Sequence, residues 1–274
     1  MGADYGCWTG AGVYGMSSGW GTVAGPNGCQ NSRGAYNAID YMGKYLDIIG
    51  NGDDENTRSN AMTVSWTGEI ETASNLASGG ADYAEYFEWL DSNPHAEDRI
   101  GYVVTLEGEK IRYATSEDDD ILGIISGTAG IIGDNAAWEW KQKYQTDDFG
   151  RVIWDKVEKF IEVPDIKLIE TEDENGNIIM TTETVMTTEC VGIIPQRRLN
   201  VDYNPNQTYI SRADRPEWDI VGLMGKLYVR DDGTCTVGGY AKVGHPGIVT
   251  HSLEKTNMRV MKRINDNIIL VFMK

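Results

Sequence analysis

The sequence is poor in several residue types, and each shortage narrows what the protein can do. Only three histidines and four cysteines (Cys7, Cys29, Cys190 and Cys235) occur among 274 residues, and their spacing fits neither a zinc site nor a disulfide framework. Basic residues are outnumbered 24 to 42 by acidic ones, and the resulting net charge of −18 disfavours binding to nucleic acid or anionic lipid. No segment reaches the roughly 18 apolar residues of a membrane-spanning helix. We therefore expect no metal, no cofactor, no nucleic-acid partner and no membrane segment.

Glycine is abundant near the start of the chain, in residues 1–37, where no helical period is visible. A flexible linker would have this composition. The competing interpretation is a tightly wound β-structure that buries its apolar faces only against stacked neighbours. Regularly placed aromatic residues favour this second interpretation, and they are Trp8, Tyr14, Trp20 and Tyr36. The alternation in Leu46–Ile49 and Met62–Trp66 predicts short strands.

Turn signals dominate the sequence after Asp82. They separate β-prone segments at Glu107-Gly108, Glu174–Asn177, Asp232-Gly233 and Asn265–Asn267. The second turn belongs to a long Thr- and Glu-rich hairpin, Ile166–Thr188, which we expect to project from the body. The third predicts a strand at Thr234–Val237. Only Asn135–Tyr144 has a helical pattern, with a suitable N-cap residue at its start.

The segment Ser78–Trp89 is the most unusual part of the chain. It places three carboxylates, Asp82, Glu85 and Glu88, among four aromatic residues. Carboxylates packed against rings lose water, so their pKa values can be raised and separated, and one can donate a proton while another stays ionised. In a helix Asp82 and Glu85 would share a face, whereas in a strand Asp82 and Glu88 would share a face and Glu85 would point away. The sequence leaves both conformations open.

Several strings resemble a known family in order and content. They are GADYAEYFEW, EDRIGYVVTLEGEKIR, KYQTDDFGRVIWD, RPEWDIVGLMGKLYVRDDGTC and RVMKRINDNIILVFMK. Together they resemble the autoproteolytic intramolecular chaperone domain, of a glutamic-peptidase-like class, at the C-terminus of bacteriophage neck appendage and tail spike proteins. Residues 45–77 resemble the stalk that precedes such domains. The resemblance implies a homotrimer whose C-terminal domain templates folding of its own stalk and then cuts itself off.

These observations together predict a mostly β chain of two parts. Residues 1–77 would form a trimeric β stalk, and residues 78–274 an antiparallel β-rich chaperone domain with one or two short helices. The resemblance places the protein in the virion, in a phage tail or neck appendage, after synthesis in the host cytoplasm. Contact with the host cell surface would then occur through the fibre. The abrupt start in repeat-like sequence suggests a piece of a longer fibre.

Self-cleavage without a metal or a catalytic triad needs a base to activate water and an acid to protonate the leaving nitrogen. Asp82 and Glu85 are our candidates for these roles. We place the cut at Ala81–Asp82, because Asp82 would then lie beside its own leaving amide and because the two glycines before Ala81 free the backbone. The other bonds between Ser78 and Asp82 stay open.

Two further residues and one other function compete with this hypothesis. Ser78 is the rival nucleophile, since a serine beside a base can form an ester intermediate. Glu88 is a third carboxylate near the proposed cut. The alternative function is an uncleaved structural fibre tip or host-binding adhesin, which a denaturing gel would distinguish from a self-cleaving chain.

Overall fold

The computed structural model describes residues 8–9, 15–25, 30–136, 139–140, 142–172, 174 and 177–274. These residues fall into two compact units, Met1–Gly79 and Gly80–Lys274. Both units consist of strands, and the helical structure among the described residues is one short 3₁₀ turn at Arg212–Asp214. The predicted mostly β fold is therefore confirmed. Tyr14, Cys7 and Cys29 lie outside the described residues.

The first unit stacks short strands side by side. The strands are β1 (Trp8–Thr9), β2 (Met16–Trp20), β3 (Val23–Ala24), β4 (Asn31–Ala35), β5 (Tyr45–Asn51), β6 (Asn60–Ser65) and β7 (Ile70–Thr72). β2, β4 and β5 are parallel neighbours, and β6 and β7 continue the sheet in antiparallel orientation. Consecutive short strands stacked in parallel are typical of repeat folds. The wound β-structure is thus confirmed over the described residues, and the two predicted strands are β5 and β6.

A column of glycines crosses this sheet. Gly19 lies opposite Gly34, which in turn lies opposite Gly50. Gly34 has a φ of +97°, and a Cβ added to it would lie 2.3 Å from the carbonyl oxygen of Gly50. No side chain fits that space, and an L-residue avoids that φ. Glycine at these positions is a packing requirement of the stacked strands.

The second unit contains twelve strands among its described residues. They are β8 (Asp82–Glu88), β9 (Val103–Glu107), β10 (Lys110–Tyr113), β11 (Gly123–Ile125), β12 (Ile131–Gly133), β13 (Trp154–Glu172), β14 (Ile178–Arg197), β15 (Trp218–Arg230), β16 (Tyr240–His245), β17 (Ile248–Ser252), β18 (Met258–Asn265) and β19 (Ile268–Met273).

Ten of these strands form one sheet around β15. The order is β10-β9-β11-β15-β19-β18-β16-β17, and β8 pairs with both β15 and β12. Every pairing is antiparallel except the parallel pair of β8 and β12. Apolar side chains of β15 and β19 form the centre of the core, where Leu227, Val229, Ile269 and Val271 are buried. The hairpins predicted around Glu107-Gly108 and Asn265–Asn267 are confirmed as β9–β10 and β18–β19.

β13 and β14 form a separate two-stranded arm. They pair along their whole length, from Trp154 opposite Arg197 to Glu172 opposite Ile178. At about 3.4 Å per residue, such strands extend for roughly 60 Å. The predicted hairpin is therefore confirmed and is longer than predicted. Large apolar side chains remain exposed along it, among them Phe160, Ile166, Leu168, Met180 and Met186.

Two local predictions were wrong. The described residues of Asn135–Tyr144 are not helical, because tertiary contacts override local propensity. Ala136 has a φ of +44°, the Trp140 ring packs against Tyr209 at 5.5 Å, and Tyr144 forms an antiparallel bridge with Leu199. No described helix is long and apolar enough to cross a membrane.

The second error concerns Thr234–Val237, which is not a strand. The chain turns after β15 because its backbone is held by side chains and by other strands. The Cys235 amide donates to the buried Asp231 carboxylate, and the Asp232 amide donates to the carbonyl of Val249 on β17. β15 pairs instead with β19, β8 and β11.

Candidate active site

The three carboxylates of the segment Ser78–Trp89 lie on β8. This strand pairs with β15, from Asp82 opposite Gly225 to Glu88 opposite Trp218. Asp82 is 4 % exposed, and alternate residues of the strand point to opposite faces. The strand interpretation is therefore confirmed and the helical one is wrong. Asp82 and Glu85 lie on opposite faces of β8.

The Asp82 carboxyl group is buried, and both of its oxygens are shielded from solvent. Neither of its oxygens forms a hydrogen bond of ordinary geometry with a described residue. Burial raises the pKa of Asp82, and the nearby Ser126 hydroxyl offsets part of that rise. Because loss of water disfavours the charged form, this carboxyl is suited to hold a proton and donate it.

The backbone carbonyls of Ala81 and Asp82 accept hydrogen bonds from two different segments, β15 and the residue before β12. The Lys226 amide donates to the carbonyl oxygen of Ala81 at 3.4 Å, and the Gly130 amide donates to that of Asp82 at 2.8 Å. Gly225 has a φ of +119°, and a Cβ on it would lie 2.4 Å from the Ala81 oxygen. Glycine at this position is therefore needed for the close approach of the two strands.

Glu85 lies on the other face of β8, where it is partly exposed. The Tyr83 hydroxyl donates to its Oε1 at 2.5 Å, and this hydrogen bond raises the pKa of Tyr83. Glu85 also lines a cleft of about 730 Å³ whose wall includes Trp140, Arg215 and Trp218. A carboxylate beside an open cleft can reach water, which is what a general base needs.

The other two candidates have different surroundings. Glu88 is engaged in an ion pair, in which Lys110 Nζ lies 2.6 Å from its Oε1. This contact gives Glu88 a role in joining β8 to β10. Ser78 lies in irregular, exposed chain before β8. A Cβ on Gly79, the next residue, would meet no atom within 4 Å.

Sequence reasoning missed the residues that surround Asp82. Gly222 and Gly225 interrupt the strand pattern of β15, and isolated glycines in a strand signal a bulge or a close backbone approach. The register between β8 and β15 indeed shifts between Gly222 and Met224. Ser126 carried no such signal, because its segment is an ordinary strand followed by a turn. Among the residues described, no group of three or more His, Cys, Asp or Glu side chains could hold a metal ion.

Comparison with known proteins gives a family match over most of the chain. The sequence model of Peptidase_G2, the IMC autoproteolytic cleavage domain, matches residues 35–267. The pre-neck appendage protein of Bacillus phage B103 is 37% identical over 177 residues, which are 62% of this chain and 17% of that protein. The preneck appendage protein of Bacillus phage PZA is 33% identical over 195 residues, which are 68% of this chain and 19% of that protein.

The chain thus spans less than a fifth of the length of these curated relatives. Among solved structures, the pre-mature bacteriophage phi29 gene product 12 is similar with a TM-score of 0.61 and 21% identity. The similarity covers 97% of this chain and 35% of that one. It shows a shared fold.

Proposed function

The chain belongs to the Peptidase_G2 family of IMC autoproteolytic cleavage domains, and we propose that it cuts itself near Ala81–Asp82 with Asp82 and Glu85 as its acid and base. The family makes it a self-cleaving peptidase. The finer assignment rests on one observation, the burial of the Asp82 carboxyl at the start of β8 without a described hydrogen-bond partner. That carboxyl belongs to the residue whose amide nitrogen would be the leaving group.

The proposed reaction needs no cofactor. Glu85 takes a proton from water as the water oxygen attacks the carbonyl carbon of Ala81. Negative charge develops on the Ala81 oxygen, toward which the Lys226 amide already points. Asp82 then gives its proton to the leaving nitrogen as the peptide bond breaks. The products are a carboxylate at Ala81 and an amine at Asp82.

The side chains of Asp82 and Glu85 point in opposite directions, which limits how they could act on the same peptide bond. Within one chain, Asp82 faces the core of the second unit and Glu85 faces the cleft. We therefore propose that the Glu85 acting on one chain comes from a second copy in the assembled trimer. Cleavage would then follow assembly, because a lone chain lacks half of the pair.

A role as a folding template is the second part of the proposal. Trp20 is 62 % and Trp66 is 46 % exposed in the single chain, and the arm exposes a series of apolar side chains. A two-stranded ribbon is marginally stable by itself. Three copies that cover these surfaces would give a homotrimer, in which residues 78–274 set the register of the stalk formed by residues 1–77. The stalk is then the substrate of the cut.

The biological setting follows from the relatives. Because both relatives described above are appendage proteins of Bacillus phages, we propose that this chain is the C-terminal part of a phage neck appendage or tail spike. It would be made in the host cytoplasm and end up in the virion. Contact with the host surface would be a property of the longer fibre.

A denaturing gel of the purified chain tests the proposed activity. Cleavage at Ala81–Asp82 gives fragments of about 9 and 21 kDa, scaled by residue number from 30.3 kDa. Fragment masses then identify which bond between Ser78 and Asp82 is cut. Detection of an ester-linked intermediate at Ser78 would favour Ser78 as the nucleophile. A chain that stays intact under all refolding conditions would favour the uncleaved fibre tip or adhesin.

A further inference from the structure

Tyr83 and Glu85 form a hydrogen-bonded pair on one face of β8. The Tyr83 hydroxyl donates to Glu85 Oε1 at 2.5 Å. One residue separates them in the strand, so both side chains point to the side of the sheet opposite the buried Asp82. The neighbouring strands hold β8 in this register, with Glu85 opposite Val221 on β15 and opposite Gly133 on β12. Because a shift of one residue would reverse the two faces, the register decides where the pair points.

The pair has room because residue 133 is a glycine. A Cβ added to Gly133 would lie 2.9 Å from Glu85 Cγ and 3.0 Å from the Tyr83 hydroxyl oxygen. Any larger residue at this position would therefore push against both members of the pair. The φ of Gly133 is not positive, so the backbone by itself would accept another residue. The glycine is needed here for the space that it leaves beside the two side chains.

The hydrogen bond from Tyr83 engages half of the Glu85 carboxylate. Among the residues that the structure describes, Tyr83 is the one that donates a hydrogen bond to Glu85, and it uses Oε1 alone. A carboxylate has further acceptor sites on its second oxygen. Since Glu85 lines the cleft, Oε2 is available to a water molecule there.

Two cations line the described part of the cleft wall, and both are engaged elsewhere. Lys110 Nζ lies 2.6 Å from Glu88 Oε1, and Arg215 Nη1 lies 3.3 Å from Glu217 Oε1. The acidic residues along the same wall have the same charge as Glu85 when ionised and cannot hold its carboxylate, and they are Glu88, Glu109, Asp134 and Asp202. Tyr83 is therefore the described group that can keep the Glu85 carboxylate in one orientation.

We propose that Tyr83 is a positioning residue for self-cleavage, whose hydroxyl fixes one oxygen of the Glu85 carboxylate so that the other takes the proton of the attacking water. This proposal rests on the proposed role of Glu85 as the base. The water proton passes to Glu85 Oε2, while Tyr83 keeps its own proton, because the hydrogen bond to Glu85 raises the pKa of the phenol. A base that is already oriented needs no further ordering when the water attacks.

The first test compares cleavage of the Tyr83→Phe chain with that of the parent after refolding of the full chain from denaturant. The substitution keeps the ring and removes the hydroxyl. Losing a hydrogen bond to a charged group typically costs about 10- to 100-fold in rate, and we expect a loss in that range. Tyr228→Phe is the matched control and should cut at the parental rate, since Tyr228 lies on β15 and is 44 % exposed, against 37 % for Tyr83. Parental cleavage in Tyr83→Phe, or a Tyr83→Phe chain that does not fold, overturns the positioning role.

Gly133→Ala tests the same role without removing either polar group. The new Cβ should displace the pair and slow cleavage. Gly244→Ala is its matched control, because Gly244 lies in β16 and its new Cβ would be equally crowded, 2.8 Å from Thr250 Cγ2 on β17. Cleavage of Gly133→Ala as fast as that of Gly244→Ala contradicts the proposal.

A third measurement detects the pair without any need for cleavage. Replacing Tyr83 by 3-fluorotyrosine in an Asp82→Asn chain lets fluorine NMR follow the titration of this phenol. Adding Glu85→Gln should lower the titration midpoint, because an amide holds the phenol proton less strongly than a carboxylate does. An unchanged midpoint overturns the proposal. Cleavage of a Glu85→Gln chain at the parental rate, in contrast, overturns the proposed function, while the midpoint can still show that Tyr83 and Glu85 are paired.

Discussion

Asp82 and Glu85 lie three residues apart on β8 and point to opposite faces of the strand. Asp82 is buried against β15, while Glu85 lines a cleft and accepts a hydrogen bond from Tyr83. The two carboxyl groups therefore have unlike surroundings, one dry and one wet. Such a difference suits an acid and a base working at the same pH. It also means that the two groups do not converge on one bond within a single chain.

The amide variants Asp82→Asn and Glu85→Gln should each leave a folded but uncut chain. Both keep the shape of the side chain and cannot carry the proton, so the cleavage rate should fall by about 10²–10⁴. The rate is measured by gel after refolding. Glu88→Gln and Ser78→Ala are the controls and should still cut, since Glu88 is paired with Lys110 and Ser78 is exposed. If both amide variants are cleaved normally and Ser78→Ala is not cleaved, Ser78 is the nucleophile and the carboxylate mechanism is wrong.

Mixing the two inactive variants tests whether the pair acts between copies. If Glu85 of one copy serves Asp82 of another, refolding Asp82→Asn and Glu85→Gln chains together should restore partial cleavage. Only the chain that keeps Asp82 should be cut, which a mass tag on one variant reveals. Each variant refolded alone is the control. Mixed trimers that remain uncut would place both groups in the same chain and contradict this part of the account.

Asp82→Asn should stabilise the uncut chain at neutral pH. Burial raises the pKa of Asp82 in the folded state, so the stability that this group contributes is complete below its unfolded pKa of about 3.9 and is lost as pH rises through the folded value. Asparagine does not titrate and avoids that loss. Thermal unfolding in a Glu85→Gln background, from about pH 3.5 to about pH 8, should show the difference growing with pH.

Asp118→Asn should change the stability of the chain at neutral pH in the opposite direction, and it serves as the control. Hydrogen bonds from Arg112 and from the Thr115 amide hold the pKa of Asp118 well below its usual value. Its contribution is therefore present above the unfolded pKa and is lost as pH falls, so this variant should be less stable at neutral pH and converge on the parent in acid. Parallel pH profiles for the two variants would contradict the assignment of their surroundings.

Gly34→Ala should destabilise the first unit more than Gly68→Ala. Both glycines have positive φ, +97° and +89°. Backbone strain should therefore lower the free energy of unfolding by about 1 kcal/mol or more in both variants. Only at Gly34 does the new Cβ meet a neighbouring strand, 2.3 Å from the Gly50 oxygen, whereas Gly68 has open space around it. Thermal unfolding of the full chain measures the difference. An equal loss of stability in the two variants would mean that the glycine column is not tightly packed.

The folding-template role predicts that the stalk depends on how it is made. A chain ending at Ser78 from the start should misassemble, while the same segment released by cleavage should remain a stable trimer. Three chains must find a common register before strand pairing offsets the entropy of ordering, and the C-terminal domain would supply that register. Once formed, the stalk would be kinetically trapped. Light scattering and melting curves compare the two preparations. The same oligomeric state and the same melting temperature in both would contradict the folding-template role.

Strand β8 shows which features of the fold could be predicted from the sequence and which could not. The strand and the helix both fitted its pattern, because aromatic and acidic residues at positions 82 to 88 satisfy either period, and only pairing with β15 decides between them. The hairpin turns were predictable because glycine and asparagine impose local geometry. The helix expected at Asn135–Tyr144 fails for the opposite reason, since long-range contacts such as Tyr144 with Leu199 are not encoded locally.

The surroundings of the candidate site were harder to predict. Asp82 lies beside Gly222 across the sheet, and the two residues are 140 positions apart in the chain. The glycines of β15 were visible as exceptions in a strand, but their partner, the Ala81 carbonyl, emerges only from the register of β15 with β8.

Intact-mass measurement of the refolded wild-type chain and the Glu85→Gln chain shows whether self-cleavage depends on the Glu85 carboxylate. We expect the wild-type chain to yield two fragments whose masses place the cut between Ser78 and Asp82, with Asp82 as the new N-terminus. The Glu85→Gln chain should give a single mass of about 30.3 kDa. A wild-type chain that stays at the full mass, or a Glu85→Gln chain that yields the same two fragments at the same rate, would contradict carboxylate-dependent self-cleavage.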